Sequence, residues 1–343
     1  MKPNIYRILF LFALTIMALS AFAVDIPIVI QGKSGKALAE AIRNYCKPTT
    51  YLDSDFGANG IWAAFRTTDS DAEGKVIDRY STTRRDFPTD PTSPVSGMTI
   101  DRIVCTDWWV EDKSADNHPY FDLFNVFPAD APVADHKKNY PPGIVTAAEY
   151  DNGTWMAGKG EIYGIEVNIY EPSDAYKGDF ARAIMYVAVM YPCKLWSNLG
   201  ENFFDDNTFP TLNTYAKQLL LKWHAEDPVS DLERSRNNAV EAIQGNRNPF
   251  VDYPEIVDHI WGDKSDEDFV IENELHPLKA SYRISEKSID LVSPYVPDDA
   301  SWTIDGKNVL TKSVKPTDLG IGIHELKFNS PTLSGKLKIE ITE

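Results

Sequence analysis

The strongest hydrophobic patterns in the chain are helical. Apolar residues recur every three or four positions in three segments, and a fourth segment, residues 179–191, is apolar almost throughout. Such spacing predicts helices with one buried face, whereas the apolar segment predicts a helix buried on all sides. We expect Ser34 to cap the first helix and Gly245 to end the last. The three amphipathic segments are 34–46, 213–225 and 232–243.

Alternating apolar and polar positions indicate strands in two other regions. Residues 98–105 alternate, and they follow a loop at 86–97 that contains three prolines. Beyond about residue 270 only short alternating runs occur, separated by turn-forming pairs such as Asp305-Gly306 and Ser334-Gly335. This pattern of short strands and turns predicts a small all-β module, for which an Ig-like sandwich is the expected form.

The first 23 residues have the features of a secretory signal peptide. Lys2 and Arg7 precede an apolar run, and Ala21-Phe22-Ala23 is a small-x-small cleavage site. No later apolar run is long enough to span a bilayer. We therefore expect a secreted or periplasmic protein that is cleaved after about Ala23 and has no transmembrane segment. The predicted organisation is a signal peptide at 1–23, a main domain at 24–268 and a β module at 275–343.

The chain is acidic and poor in cysteine. Its formal charge is -17, and removal of Lys2 and Arg7 with the signal peptide brings this to -19. That charge argues against general attraction to a polyanion, although a local basic groove or a bound divalent cation would change the sign locally. The cysteines, at positions 46, 105 and 193, are not spaced as metal ligands, and their pairing is left open.

Amide and guanidinium side chains are concentrated in residues 233–255. Groups of this kind need hydrogen-bond partners, because each one left buried and unpaired costs about 1–3 kcal/mol. We expect a hydrogen-bonded structural network here, with direct substrate contact as the alternative. The side chains concerned are Gln244, Asn246, Arg247, Asn248 and Asp252.

Several motifs resemble those of the bacterial endonuclease I family of secreted His-Me finger (ββα-metal) nucleases. They are D-L-F-N-V-F-P at 122–128, V-A-x-x-K-x-N-Y-P-P-G at 133–143 and Q-G-N-R-N-P-F-V-D-Y-P-E at 244–255. Their order and spacing carry the resemblance, which extends over about residues 30–262. It implies an α+β fold, mainly helical, with a small ββα unit near residues 98–139.

The resemblance also implies a chemistry. In such nucleases a histidine at a strand end takes a proton from water, and one divalent cation, Mg or Mn, stabilises the developing charge on the phosphate. A neighbouring Glu and an Asn on the following helix hold the cation. By this resemblance Asn125 is the metal-binding position.

The acid–base pair of the family motif is missing. Where the family has D-R-E-H-x-x-P-x-S-W-W, this chain has D-R-I-V-C-T-D-W-W at 101–109, so that a two-residue Glu-His step is absent between Asp101-Arg102 and Trp108-Trp109. Asp107 and His118 are the candidate replacements for the acid and the base. The candidate phosphate-binding or nucleic-acid-binding side chains are Arg102, Lys137, Lys138, Arg182 and Arg247.

Three functions remain open from the sequence. The chain is a nuclease-like scaffold that has lost hydrolysis and binds nucleic acid or another ligand. Alternatively it is an active, non-specific Mg- or Mn-dependent nuclease with a rearranged base. In the third interpretation it is a surface interaction protein that acts through the β module.

Overall fold

The computed structural model describes residues 30, 32–109, 118–192, 196–270, 272–274, 281–291, 300–330 and 334–343. The predicted signal peptide and Cys193 lie outside these residues. No helix in the described part is long and apolar enough to cross a membrane. Helices and sheets both contribute, which confirms the α+β class.

Ten α-helices occur in the described residues, and the four predicted ones are among them. The prediction that Gly245 ends the helix predicted at 232–243 is confirmed, because Gly245 follows that helix and adopts a left-handed conformation with a φ of 73°. Ser34 precedes the first helix, but its side chain makes no capping hydrogen bond. The helices are α1 (Gly35–Tyr45), α2 (Ile61–Thr68), α3 (His118–Phe121), α4 (Ala131–Lys137), α5 (Lys177–Met190), α6 (Thr214–Glu226), α7 (Asp231–Gln244), α8 (Pro249–Asp252), α9 (Ile256–Ile260) and α10 (Pro316–Leu319).

Helix α5 lies at the centre of the main core. All of its residues after Lys177 are buried, as the apolar sequence predicts. It contacts α1, α6 and α8, so the helical body is built around it.

Three short sheets and one larger sheet complete the described fold. Strands β1 (Met98–Arg102) and β2 (Val126–Asp130) pair antiparallel, and α4 follows β2 directly. We call β1, β2 and α4 the strand–strand–helix unit. A second sheet has the order β3 (Ala147–Asp151), β4 (Met156–Ile162), β5 (Ile165–Glu171).

The remaining strands lie beyond residue 270, where the sequence predicts β structure. Two clusters of buried apolar residues are separate: one fills the helical body, and the other lies among these strands around Trp302 and Phe328. The largest sheet has the order β10-β9-β12-β13-β6, β7 also pairs with β13, and β11 pairs with β8. The strands are β6 (Glu272–Glu274), β7 (Ser281–Arg283), β8 (Ile289–Asp290), β9 (Ser301–Ile304), β10 (Lys307–Val309), β11 (Ser313–Val314), β12 (Gly322–Asn329) and β13 (Ser334–Thr342).

A buried network of ion pairs ties the helical body together. Asp69 accepts hydrogen bonds from Arg79 (2.8 Å) and Arg236 (3.0 Å). Arg79 also donates to Asp179 at 3.0 Å. Buried charges need such compensation, because a charge removed from water without a partner is strongly destabilising. The network continues through Asp179 to Arg182 and Glu233.

Candidate functional site

Asn125 lies in a 3-10 turn, Leu123–Asn125, immediately before β2. It therefore lies between β1 and β2 and not on α4, the helix that follows the strand pair. The side chain is fully buried. Its oxygen accepts from the Val104 N–H at 2.9 Å, and its nitrogen donates to the carbonyls of Val104 (3.1 Å) and Pro119 (2.9 Å). The amide thus fixes the chain where β1 ends; that it holds a metal stays a prediction.

Strand β1 is shorter than the predicted segment 98–105, because the Asn125 amide takes both backbone groups of Val104 in place of a neighbouring strand. Ile103 and Val104 follow Asp101-Arg102 directly, and both have no exposed surface. Neither side chain can exchange a proton or bind a cation. The end of β1 therefore offers no acid–base group at these two positions.

The two candidate replacements differ in what the structure describes. Asp107 is exposed, and its carboxylate accepts a long hydrogen bond of 3.4 Å from the Asn139 side chain. Its backbone carbonyl accepts from the Ser197 hydroxyl. His118 begins α3, but its side chain lies outside the described residues.

Arg102, at the end of β1, is held by three contacts. It donates to the Asp55 carboxylate at 2.7 Å and to the Tyr120 carbonyl at 3.0 Å. Its guanidinium also lies 3.5 Å from the centre of the Tyr120 ring, a cation–π contact. These partners hold the Arg102 side chain in place within the fold.

Lys137 and Lys138 end α4 and the turn after it, but they have opposite environments. Lys137 is buried, and its ammonium lies 3.1 Å from an Asp101 carboxylate oxygen. Lys138 is exposed and donates to the Tyr140 hydroxyl at 3.2 Å. Its φ of 51° is unusual for a residue with a side chain. Of the candidate phosphate-binding residues, Lys138 is the one that the structure leaves exposed.

Arg182 and Arg247 are bound to carboxylates by both arms of their guanidinium groups. Arg182 is fully buried on α5 and donates to both oxygens of Glu233 at 2.7 and 2.6 Å. Arg247 donates to both oxygens of Asp252 at 2.8 and 2.7 Å. Bidentate pairs of this kind are strong and directional. Both arginines therefore hold parts of the fold together and do not project into a groove.

The amide-rich segment surrounds the turn that carries Asn125. Gln244 accepts from the Leu123 N–H at 3.0 Å and donates to Asp122 at 2.9 Å. Asp122 also accepts from the hydroxyls of Tyr186 (2.8 Å) and Tyr191 (2.7 Å). Burial raises the pKa of Asp122, although these hydrogen bonds oppose the rise.

The neighbouring amides extend this network. Asn246 donates to the Tyr186 hydroxyl at 2.7 Å and to the Cys46 carbonyl at 2.9 Å. Asn248 donates to the Arg182 carbonyl at 3.2 Å. Asn237, on α7, donates to Asp252 at 3.0 Å. These contacts link the amide-rich segment to α1, α5 and α7; its purely structural role stays a prediction.

Burial holds the thiols in the described part of the chain in their protonated form. Cys46 and Cys105 are both free. Burial raises the pKa of Cys46 to about 12 and that of Cys105 to about 11. Since the thiolate is the nucleophile and the metal ligand, neither cysteine is suited to catalysis or metal binding at neutral pH.

A divalent cation does not fit the donor set of the described residues. No group of three or more His, Cys, Asp or Glu side chains comes together there. In the strand–strand–helix unit, the Asp101 carboxylate is paired with Lys137, and the Asp130 carboxylate caps α4 and is paired with Arg85. Hard cations such as Mg²⁺ need several oxygen ligands, which this arrangement does not supply.

A protein-family model described as Endonuclease I matches residues 35–255. The match ends before β6 and the strands that follow it. An extracellular ribonuclease of Bacillus subtilis (strain 168) is 29% identical over 249 residues, which are 67% of this chain and 76% of that protein. An extracellular ribonuclease of Bacillus amyloliquefaciens is 31% identical over 249 residues, 67% of this chain and 75% of that protein.

Proposed function

The chain belongs to the endonuclease I family, and from this premise we propose that it is an exported nucleic-acid-binding protein in which phosphodiester hydrolysis is lost or greatly reduced. The two relatives are extracellular ribonucleases, which supports both export and a nucleic-acid ligand. The ligand is single- or double-stranded RNA or DNA, bound without sequence preference.

One observation carries the loss of hydrolysis. The strand end that the resemblance assigns to the acid–base pair holds Ile103 and Val104, which are buried and apolar. A general base contributes about 10²–10⁴-fold to such a rate, and loss of the metal adds to that deficit. The family's Mg or Mn has no fitting donor set in the described residues.

The charged side chains support weak binding. Four of the five candidate cations are tied to partners within the protein, and Lys138 is the exposed one. Each phosphate contact that releases a counterion adds about one unit to the slope of the logarithm of affinity against the logarithm of salt concentration. We therefore propose binding that depends little on salt and involves one or two phosphates.

The test combines cleavage and binding. Supercoiled plasmid and a fluorophore–quencher RNA are incubated with Mg²⁺ or Mn²⁺, and binding of unlabelled strands is followed by fluorescence anisotropy at several salt concentrations. We expect binding that weakens in Lys138→Ala, without cleavage. Lys36→Ala, which removes an exposed lysine paired with Glu40 on α1, is the matched control.

Two outcomes would contradict the proposal. Metal-dependent cleavage that is abolished by Asp107→Asn or His118→Gln would instead establish a rearranged nuclease, which is the alternative that the exposed Asp107 favours. Failure to bind either nucleic acid would remove the proposed ligand.

The architecture proposed with this function has a His-Me finger nuclease-like domain at 24–268 and an Ig-like module at 275–343. Ile321 and Ile323 are exposed at the start of β12, which favours a partner-binding role for that module as a second function. Loss of partner capture by the secreted protein on Ile323→Ser would support that role, and retention would count against it.

A further inference from the structure

The strands beyond residue 270 contain a histidine that is held between two oxygen atoms. His324, on β12, is 8% exposed. Its Nδ1 lies 2.7 Å from an oxygen of the Asp305 carboxylate, and its Nε2 lies 3.0 Å from the Gly320 carbonyl oxygen. A neutral imidazole has one N–H and can donate to one of the two oxygens, whereas the protonated ring donates to both. The geometry therefore fits the imidazolium form of His324.

The two oxygens belong to different segments of the chain. Asp305, with a φ of 48°, begins the tight turn between β9 and β10. Its carboxylate also accepts from the Glu325 N–H at 2.9 Å, which fixes the turn beside β12. Gly320 follows α10 and donates its own N–H to the Pro316 carbonyl at 3.0 Å. His324 thus connects the β9–β10 turn to the loop that leads from α10 into β12.

The charge of Asp305 favours the protonated ring. The hydrogen bond to Asp305 raises the pKa of His324 above its ordinary value of 6.5, burial opposes the rise, and the Gly320 carbonyl and the Asp305 charge add to it. In return, the hydrogen bonds from His324 and from the Glu325 N–H lower the pKa of Asp305, so this carboxylate stays ionised and cannot donate.

No other charge in the described neighbouring elements faces the ring closely. On β13 the residue opposite His324 is Ile339, and β9 has no charged residue. Asp305 is the one described ionisable group whose charge shifts the pKa of His324. The other charged side chains described on the surrounding elements are exposed at least in part, and they are Lys307 on β10, Asp318 on α10, Glu325 and Lys327 on β12, and Glu340 on β13.

We infer that His324 is a protonation-dependent clamp, whose cationic ring holds the β9–β10 turn and the Gly320 loop together. In a neutral ring the single N–H stays with Asp305, because a hydrogen bond to a carboxylate is the stronger of the two. The Nε2 lone pair then faces the Gly320 carbonyl oxygen, and their repulsion displaces the loop. Positive φ values at Gly320 (87°) and Gly322 (139°) show that this loop depends on glycine, and it carries Ile321, which is 60% exposed.

Loss of the proton should loosen this loop in a defined pH range. Because the pKa of His324 is raised on folding, the clamp contributes its full stabilisation below about pH 6.5 and loses it as the pH rises through the higher, folded value. A surface that includes Ile321 is thereby made sensitive to pH. The clamp lies outside the region that the family model matches, so it does not depend on the proposed function.

NMR titration of the isotopically labelled, full-length protein tests the protonation of the clamp. Spectra of the histidine rings report whether each nitrogen carries a proton. We expect both His324 nitrogens to be protonated at about pH 6 and the pKa of the ring to lie above 6.5. Asp305→Asn should weaken proton binding by His324 about tenfold, because it removes the neighbouring charge. Asp318→Asn, which removes an exposed carboxylate from α10, is the matched control and should leave the titration unchanged.

Hydrogen exchange tests the release of the loop. We expect the protection factors of the backbone amides of residues 321–324, corrected for the intrinsic effect of pH, to fall about tenfold between pH values of about 6 and 8.5 in the wild type. The amide of Phe328, further along β12, should keep its protection. In His324→Gln the protection of residues 321–324 should be low at both pH values, because a glutamine cannot carry the charge.

Several outcomes would overturn the inference. A neutral His324 ring at about pH 6, or a His324 pKa at or below 6.5, would show that the clamp is not charged. An unchanged titration in Asp305→Asn, or protection of residues 321–324 that does not vary with pH, would contradict it equally. The titration of the wild type decides the matter even if His324→Gln does not fold.

Discussion

Asn125 makes three hydrogen bonds from a fully buried side chain, and two of them go to the same residue, Val104. Asn125→Ala would leave three buried backbone groups without partners. We expect the free energy of unfolding to fall by about 2–4 kcal/mol, measured by urea denaturation without added metal. Asn202→Ala is the control, since that amide donates to Leu199 at an exposed site and its loss should cost less than about 0.5 kcal/mol.

A different result would restore the metal-binding role of Asn125. If Mn²⁺ stabilised the wild type but not Asn125→Ala, the amide would be a cation ligand. A loss in stability below about 1 kcal/mol would likewise contradict the bracing role.

Asp101 is not among the site residues that were predicted from the sequence. When the family motif is aligned on Asp101-Arg102, its Glu-His pair has no counterpart in this chain. Counted back from Trp108-Trp109 without a gap, the motif's Glu instead falls on Asp101 and its His on Arg102. The structure places Asp101 opposite Lys137. Sequence alone could not choose between the alignments, because both preserve one pair of anchor residues.

Helix α7 ends at a glycine for two separable reasons. Gly245 has a φ of 73°, and a Cβ added there would collide with the Thr49 side chain. We expect Gly245→Ala to lower the thermal unfolding temperature by the equivalent of about 2–3 kcal/mol, through backbone strain and the displaced Thr49 hydroxyl.

Gly164→Ala separates the two effects. Gly164, in the turn between β4 and β5, has a φ of 76°, but no atom lies within 4 Å of an added Cβ. It should cost only the strain of about 1 kcal/mol. Equal losses in the two variants would show that the Thr49 contact contributes nothing.

Four of the helices could be predicted from sequence, but one sheet could not. The pattern behind α1, α5, α6 and α7 is long and regular, so it identifies them despite local exceptions. Strand β3 is almost wholly exposed, and β4 contains Gly158 and Gly160. Glycine weakens a strand pattern, yet here a Cβ at Gly158 would collide with the backbone of β3. The close approach of the strands thus requires glycine at positions where alternating apolar and polar side chains would have predicted a strand.

The candidate site was only partly predictable for a related reason. The motifs around Asp122, Lys137 and Gln244 are visible in sequence, and the structure brings their side chains into contact with neighbouring elements. Which cations remain exposed depends on carboxylates far away in sequence. Arg102 pairs with Asp55 and Arg182 with Glu233, and no local sequence pattern predicts either pair.

The two buried clusters predict two unfolding transitions for the whole molecule. Phe269 is buried in the first cluster, and its backbone exchanges hydrogen bonds with Gly32 and Lys33, so the helical body includes at least this residue. In calorimetry of the full chain, Phe269→Ala should destabilise one transition by about 3–5 kcal/mol and leave the other unchanged.

Phe328→Ala is the reciprocal variant, because Phe328 is buried in the second cluster. It should shift the other transition alone. A single transition that both variants lower equally would mean that the clusters unfold as one unit, against the proposed division into two domains.

The buried ion network has a consequence for how the chain acquires its structure. Asp69 meets Arg236 across 167 positions, and Asp122 meets Gln244 across 122. Asp69 can meet Arg79 early in synthesis, but its contact with Arg236 and the contact of Asp122 with Gln244 form only after α7 has been synthesised. Completion of the network therefore depends on α7, so a chain that ends before α7 leaves both carboxylates with an incomplete set of partners.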